Sequence, residues 1–226
     1  MKRSFGIVSV VVSALIFAGC QEAKSKSPDP NAATKIDGKV IQTVATGESS
    51  KEQKEVKVGD QGPDWKGLTG TDDKQHSLKD LEKEKAVVII FTCNTCPVAQ
   101  AYEDRLNKLA TDYKDKGVSV VAINVNKDER NNLDAMKQRV EKKGLSYAYL
   151  TDPSQDSARQ YGATCTPHVF LLDGHRKIVY TGAIDDNMDE SNVKQHSLQD
   201  AVDAVLAGKE PSVAVTKQFG CGIRYE

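Results

Sequence analysis

Apolar residues are spread unevenly along the chain, and their spacing changes character several times. Ala86–Phe91 (AVVIIF) is an unbroken apolar run bounded by charges. Such a run predicts a strand buried on both faces, as at the centre of a parallel sheet. Past Pro97, the residues Val98, Tyr102, Leu106, Leu109 and Tyr113 recur three and four apart, with Glu103, Asp104, Asn107 and Lys108 between them. That period predicts an amphipathic helix, ended by Gly117, with its charged residues on the outer face. Val118–Val125 reads as a second buried strand, and Leu133, Met136 and Val140 mark a helix that Gly144 ends. Tyr147–Leu150 is a short strand, and Asp152-Pro153 is placed to cap a helix running to about Tyr161. HVFLLD and KIVYTG flank Gly174 as a hairpin. Ser197 and Asp200 have the spacing of a capping box for a last helix, closed by Gly208 and Pro211. Before all of these, GLTGTDDKQHSLKDL predicts two short strands around a Gly-Asp-rich turn and then one turn of helix.

Strands and helices alternate in this order. The fold class expected is α/β, three layers, with a central mixed sheet.

The amino-terminal quarter follows different rules. Lys2 and Arg3 precede a stretch from Phe5 to Gly19 that is apolar or small except for Ser9 and Ser13. This is the pattern of a signal peptide and is too short for a transmembrane helix. It ends in LIFAGC, which resembles a bacterial lipoprotein signal. The resemblance implies cleavage after residue 19 and lipidation of Cys20, with Phe17 standing where an aliphatic residue is usual. Several acyl chains together would give stable membrane attachment, where one would not. Residues 20–57 are rich in Lys, Ser, Glu, Pro and Gly and hold no aromatic residue. They are read as a flexible tether, with a reach on the order of 30–35 Å. The folded domain is expected over 58–226, with a carboxy-terminal extension from about 211.

Charge adds an exclusion. The 31 Lys and Arg nearly balance the 32 Asp and Glu, without a basic field, so a nucleic-acid partner is not expected.

The chemistry lies in FTCNTCP. Cys93 and Cys96 follow the first buried strand, and Pro97 opens the helix. Unpaired N–H groups and the positive dipole end at a helix N-terminus stabilise a thiolate. That lowers a thiol pKa and supplies a nucleophile near neutral pH. Cys93, at the exposed strand-to-helix junction, is expected to attack a substrate disulfide; Cys96, one turn on and partly shielded, is expected to resolve the mixed disulfide. Haem attachment needs His after the second Cys, where Pro97 stands. A metal site needs more ligands, for which Cys165, Cys221 and His168 are the candidates. A structural disulfide closing four residues is worth only about 2 kcal/mol, against about 4 for a Cys165–Cys221 bridge. The close pair is therefore a poor staple and a good redox switch.

A second stretch, CTPHVFLLD, lies about 70 residues on. With FTCNTCP it makes the chain resemble the thioredoxin-like superfamily, in its redoxin, AhpC/TSA and TlpA-like branch. The resemblance implies a thiol-disulfide oxidoreductase with no cofactor and no metal. It also implies a cis Thr166-Pro167 peptide, and a Thr166 backbone that pairs with a substrate strand. Partners would be protein disulfides or dithiols and a membrane electron donor or acceptor, and the location the cell envelope. Two departures stand out. Thr92 replaces the Trp usual in thioredoxins, and a peroxiredoxin alignment on Cys96 puts Cys93 and Ile89 where Thr and Pro belong. A thiol peroxidase and a copper- or zinc-binding protein using Cys93, Cys96 and Cys165 remain as alternatives. Cys165 is open between an electron relay, a metal ligand and a buried apolar thiol, and Cys221 sits in an extension that adds a strand or covers the domain. His168 reads as a strand residue, Trp65 as core, and Asp185-Asp186 as a solvated loop.

Overall fold

The computed structural model describes residues 56–226. The signal peptide of residues 1–19, Cys20 and nearly all of the tether lie outside the described residues.

A seven-stranded mixed sheet forms the centre. In chain order its strands are β1 (Leu68–Gly70), β2 (Gln75–His76), β3 (Ala86–Thr92), β4 (Val118–Asn124), β5 (Ala148–Thr151), β7 (His168–Asp173) and β8 (Ile178–Gly182). Two-residue strands β6 (Cys165–Thr166) and β9 (Cys221–Gly222) make a separate ladder. Across the main sheet the order is β2-β1-β5-β4-β3-β7-β8. β3 pairs in parallel with β4, and β4 with β5, while β7 runs antiparallel to β3. The helices are α1 (Pro97–Tyr113), α2 (Leu133–Lys143), α3 (Asp156–Tyr161) and α4 (Ser197–Leu206).

Alternation along β3 explains why its apolar run is continuous. Ala86, Val88 and Ile90 enter one core with Tyr102 and Leu106 of α1, Met136 of α2 and Leu198 and Val202 of α4. Val87, Ile89 and Phe91 enter a second core with Trp65, Leu78, Tyr161 of α3 and Phe170. Side chains of a strand point to opposite faces, so a strand covered on both sides is apolar at every position. β3 lies between β4 and β7, which holds its last residues, and hence Cys93, at the centre of the sheet's edge.

Three local expectations change. Asp152 does not start a helix directly. Its carboxylate accepts from Ser154 N–H (3.1 Å) and Ser157 N–H (2.9 Å), closing a turn, and α3 begins at Asp156. No capping box forms at α4, because Ser197 is already its first helical residue. Glu103 is not on the solvent face of α1. It is buried and accepts two bonds of 2.7 Å from Arg139 of α2, which pairs its charge.

The extension from 211 onward runs back across the domain. It bridges to β8 through Thr181 N–H to the Ala214 carbonyl and Thr216 N–H to the Thr181 carbonyl, both 3.0 Å. It then reaches the antiparallel β6–β9 pairing, with Cys165 opposite Gly222 and Thr166 opposite Cys221.

Candidate active site

Cys93 ends the approach of β3, and Cys96 is the N-cap of α1. The cap is a sulfur, which accepts from Ala99 N–H at 3.4 Å, with Pro97 at the first helical position, where no N–H is needed. The expectation that Cys93 is exposed is corrected: Cys93 is 3% and Cys96 1% accessible. Cys93 Sγ lies 3.4 Å from Thr166 Oγ1 and 3.8 Å from Thr95 Oγ1. Cys96 Sγ lies 3.0 Å from the Thr166 carbonyl, to which it donates when protonated.

The Thr166-Pro167 peptide is cis, as the resemblance implied. Thr166 therefore touches both sulfurs, one through its hydroxyl and one through its carbonyl, while its strand position pairs with Cys221. Cys221 is exposed along the chain, yet it lies opposite Thr166, whose hydroxyl donates to the Cys221 carbonyl at 3.4 Å.

The two sulfurs share their protons unequally. As a thiolate, Cys96 accepts from the Cys93 thiol, and then from the Cys221 thiol, Ala99 N–H and the Thr166 hydroxyl; against the opposing effect of burial, these hold its pKa down to about 4. The same hydrogen bond to Cys96, together with burial, pushes Cys93 well above the usual thiol range. Cys221 rises to about 11 because it too donates to Cys96.

The loop between the cysteines is held by buried amides that the sequence did not single out. Asn94 N–H donates to Asn131 Oδ1 (2.8 Å), and Asn94 Nδ2 donates to the Arg130 carbonyl (2.9 Å). Its Oδ1 accepts from Tyr149 OH (2.9 Å). Asn131 also accepts from Asn124 Nδ2 (3.2 Å) and donates to Asp128 Oδ2 (2.7 Å) and Thr95 Oγ1 (3.3 Å). Asn124 and Asn131 are fully buried. A network whose members are all satisfied fixes geometry as well as adding stability.

The other candidates separate cleanly. Cys165 is buried and turns its sulfur toward the Pro167 carbonyl (3.6 Å); burial raises its pKa. The register puts Cys165 and Cys221 on neighbouring positions of paired strands, with side chains on opposite faces. The four described cysteines are free thiols, so the Cys165–Cys221 bridge left open by the sequence is not formed. Among the described residues no three His, Cys, Asp or Glu side chains converge as metal ligands. His168 begins β7, accepts from Thr164 N–H (3.3 Å) and packs on Phe170; burial lowers its pKa to about 4, so it is a neutral strand residue. Trp65 is core. Asp185 is not solvated: it is buried, accepts from Tyr102 OH (2.8 Å) and pairs with Arg105.

Comparison with known proteins agrees with this geometry. The Redoxin family matches residues 57–196. The thiol-disulfide oxidoreductase ResA of Geobacillus thermodenitrificans is 27% identical over 147 residues, which cover 64% of this chain and 79% of that protein. A hypothetical protein of Sinorhizobium meliloti 1021, known from a crystal structure, is 33% identical with a TM-score of 0.71, covering 76% of this chain and 96% of its own. An uncharacterized conserved protein of Geobacillus kaustophilus gives 35% identity and a TM-score of 0.71, over 75% of this chain and 93% of its own. On these matches and its mixed sheet flanked by helices, the chain has the thioredoxin-like fold and belongs to the redoxin family.

Proposed function

We propose that this chain is a thiol-disulfide oxidoreductase that exchanges disulfides with protein substrates through Cys93 and Cys96, tethered to a membrane through lipid on Cys20 and facing the cell envelope. The oxidoreductase class rests on the redoxin family and the ResA relatives. The observation that carries the reading for this chain is the sulfur pair itself: two thiols packed together at a helix N-terminus, both touching Thr166, one of them strongly acidic.

The steps follow from the shared proton. Cys96 carries the negative charge at neutral pH, and Cys93 donates to it. When a substrate disulfide reaches Cys93, the Cys93 proton passes along that hydrogen bond to Cys96, and the Cys93 thiolate attacks. One substrate sulfur leaves as a thiolate, which takes the proton now on Cys96, and a Cys93–substrate disulfide forms. Cys96, hemmed in by Ala99 N–H and Thr166 and again a thiolate, then attacks Cys93 Sγ. The second substrate thiol is released and Cys93–Cys96 is oxidised. The same steps in reverse oxidise a dithiol. Thr166 would pair its backbone with the substrate strand, in the place along its edge where Cys221 lies in this structure. A membrane electron donor or acceptor would complete the cycle. Among the described residues no helix is long and apolar enough to cross a membrane.

Trapping tests the order of attack. Cys96→Ser should accumulate a mixed disulfide between Cys93 and a disulfide-bonded protein substrate, and Cys93→Ser should not; the opposite pattern would sink this assignment. Rapid consumption of peroxide with sulfinic acid at one cysteine, and no protein disulfide turnover, would favour a peroxidase instead. Mass measurement of the membrane-fraction protein should find diacylglycerol on Cys20, absent in Cys20→Ser.

A further inference from the structure

The edge that this function needs for a substrate strand is already occupied by the chain's own carboxy terminus. Thr166 pairs with Cys221, and Ile223 N–H donates to the Thr164 carbonyl (3.0 Å), so residues 221–223 lie antiparallel to 164–166 as an added strand. The segment is anchored on both sides. Upstream, the Thr216 hydroxyl accepts from Ala183 N–H (2.9 Å), and Phe219 meets the Tyr102 ring edge-on at 6.1 Å. Downstream, Tyr225 lies under the Arg159 guanidinium at 4.5 Å. Gly220 makes the approach possible: with φ at +153°, a Cβ there would sit 2.0 Å from the Thr166 carbonyl oxygen. The one cysteine of the segment is the residue opposite Thr166, whose carbonyl lies 3.0 Å from Cys96 Sγ and whose hydroxyl lies 3.4 Å from Cys93 Sγ.

We propose that the carboxy-terminal segment is a built-in substrate strand, and that Cys221 is a third redox residue that exchanges with the oxidised pair and latches the segment over the docking edge. The proposal rests on the reading of Cys93 and Cys96 as an exchanging pair. Starting from Cys93–Cys96, the Cys221 thiol gives its proton to solvent and its sulfur attacks Cys96 Sγ. The Cys96–Cys221 bond forms as Cys93–Cys96 breaks, and Cys93 leaves as a thiolate that takes up a proton. The disulfide is moved and no electron is gained or lost, so no outside oxidant or reductant is needed. In the latched form the docking edge is closed and Cys93 is a free thiol beneath it. A substrate strand must displace the segment to bind, and reduction of Cys96–Cys221 reopens the edge.

The test uses the full chain. Trypsin separates the relevant cysteines: Cys93 and Cys96 fall in 86–105, Cys165 in 160–176 and Cys221 in 218–224. Cys93→Ser, near-isosteric and without the competing thiol, is oxidised with one equivalent of diamide, acid-quenched, alkylated and mapped. Most of 86–105 should be found linked to 218–224. Linkage mainly to 160–176, or capture of Cys96 only between molecules, overturns the proposal. Gly220→Ala gives an independent measure by forcing the segment off Thr166. It should raise the rate of substrate disulfide reduction several-fold in the wild-type cysteine background, and an unchanged rate would show that the segment does not close the edge. A wild-type chain that shows reversible exchange at Cys93–Cys96 while Cys93→Ser never links 96 to 221 defeats this inference alone. A wild-type chain with no exchange anywhere defeats the proposed function beneath it.

Discussion

The two sulfurs are flanked by regions built on opposite plans. On one side, Asn94, Asn124 and Asn131 hold the Cys-x-x-Cys loop with side-chain amides, all buried and each meeting several partners. On the other side, the carboxy-terminal segment reaches Thr166 by backbone pairing only two residues long, and its side chains are largely outside the core; Val215 is 62% accessible. Buried, fully satisfied amides cost their whole desolvation penalty if broken, so that side stays fixed. A short strand with little buried apolar area opens at low free-energy cost. The difference teaches how a buried redox pair can work. One wall fixes the sulfurs, and the other can be exchanged for a substrate strand of the same geometry.

The largest expected effect breaks the pair itself. Cys96→Ser should lower the rate of substrate disulfide reduction on the order of 1,000-fold or more, because resolution of the mixed disulfide is lost. Measured by turnover of a disulfide-bonded protein with a dithiol reductant, near-normal turnover would contradict the pair as the site.

The next effect attacks the fixed wall. Asn131→Ala leaves the buried Asn94 N–H without its partner and takes one acceptor from the buried Asn124 Nδ2. Each buried polar group left unsatisfied costs about 1–3 kcal/mol, so unfolding should shift by about 2–3 kcal/mol, or roughly 4–12 °C in Tm. A comparable change in the segment, such as Val215→Ala, should move Tm by less than about 2 °C. Equal shifts at both places would erase the comparison.

Protonation sharpens it further. The thiolate absorbance of the reduced chain should titrate with a midpoint near pH 4, from Cys96. Cys221→Ser swaps that thiol donor for a hydroxyl at a different distance, and should move the midpoint upward by a fraction of a unit; a midpoint that does not move would place Cys221 away from Cys96. Stability should follow the same titration. Cys96 is held below its ordinary value of 9.0, so between about pH 4 and pH 9 the unfolded chain binds a proton that the folded chain does not. Stability therefore rises with pH across that window, and the gain is lost as pH falls toward 4. Cys93, shifted the other way, is protonated in both states throughout the window and contributes a loss only above it. Urea unfolding of wild type against Cys96→Ser should show the pH slope in the wild type alone.

What was legible in the sequence follows the same division. β3 and α1 were readable because a strand covered on both faces must be apolar throughout, and because α1 keeps its period from Tyr102 to Tyr113. Pro97 and Thr166-Pro167 marked where the sulfurs and their docking residue lie. Glu103 and Asp185 were not readable, since a charge in a helix face or a loop looks solvated until its partner, Arg139 or Arg105, arrives from 36 or 80 residues away. The asparagine network has the same difficulty, with Asn94 and Asn131 separated by 37 residues. The burial of Cys93 was hidden because the local pattern places it at a strand end, and a strand end is exposed only when nothing packs over it. β9 is a cysteine and a glycine following Gly220 and carries no period at all; only its cysteine hinted at a place near the site.

The central claim is that Cys93 and Cys96 form the exchanging pair. The most direct measurement equilibrates the full chain in glutathione buffers across a range of ratios, quenches with acid, and maps each cysteine by mass. The account expects a reversible two-electron transition that includes Cys96, with Cys93 as its partner, a minor Cys96–Cys221 form, and Cys165 unchanged throughout. A chain in which Cys93 and Cys96 show no transition at any ratio, or in which Cys165 carries the disulfide, would contradict it.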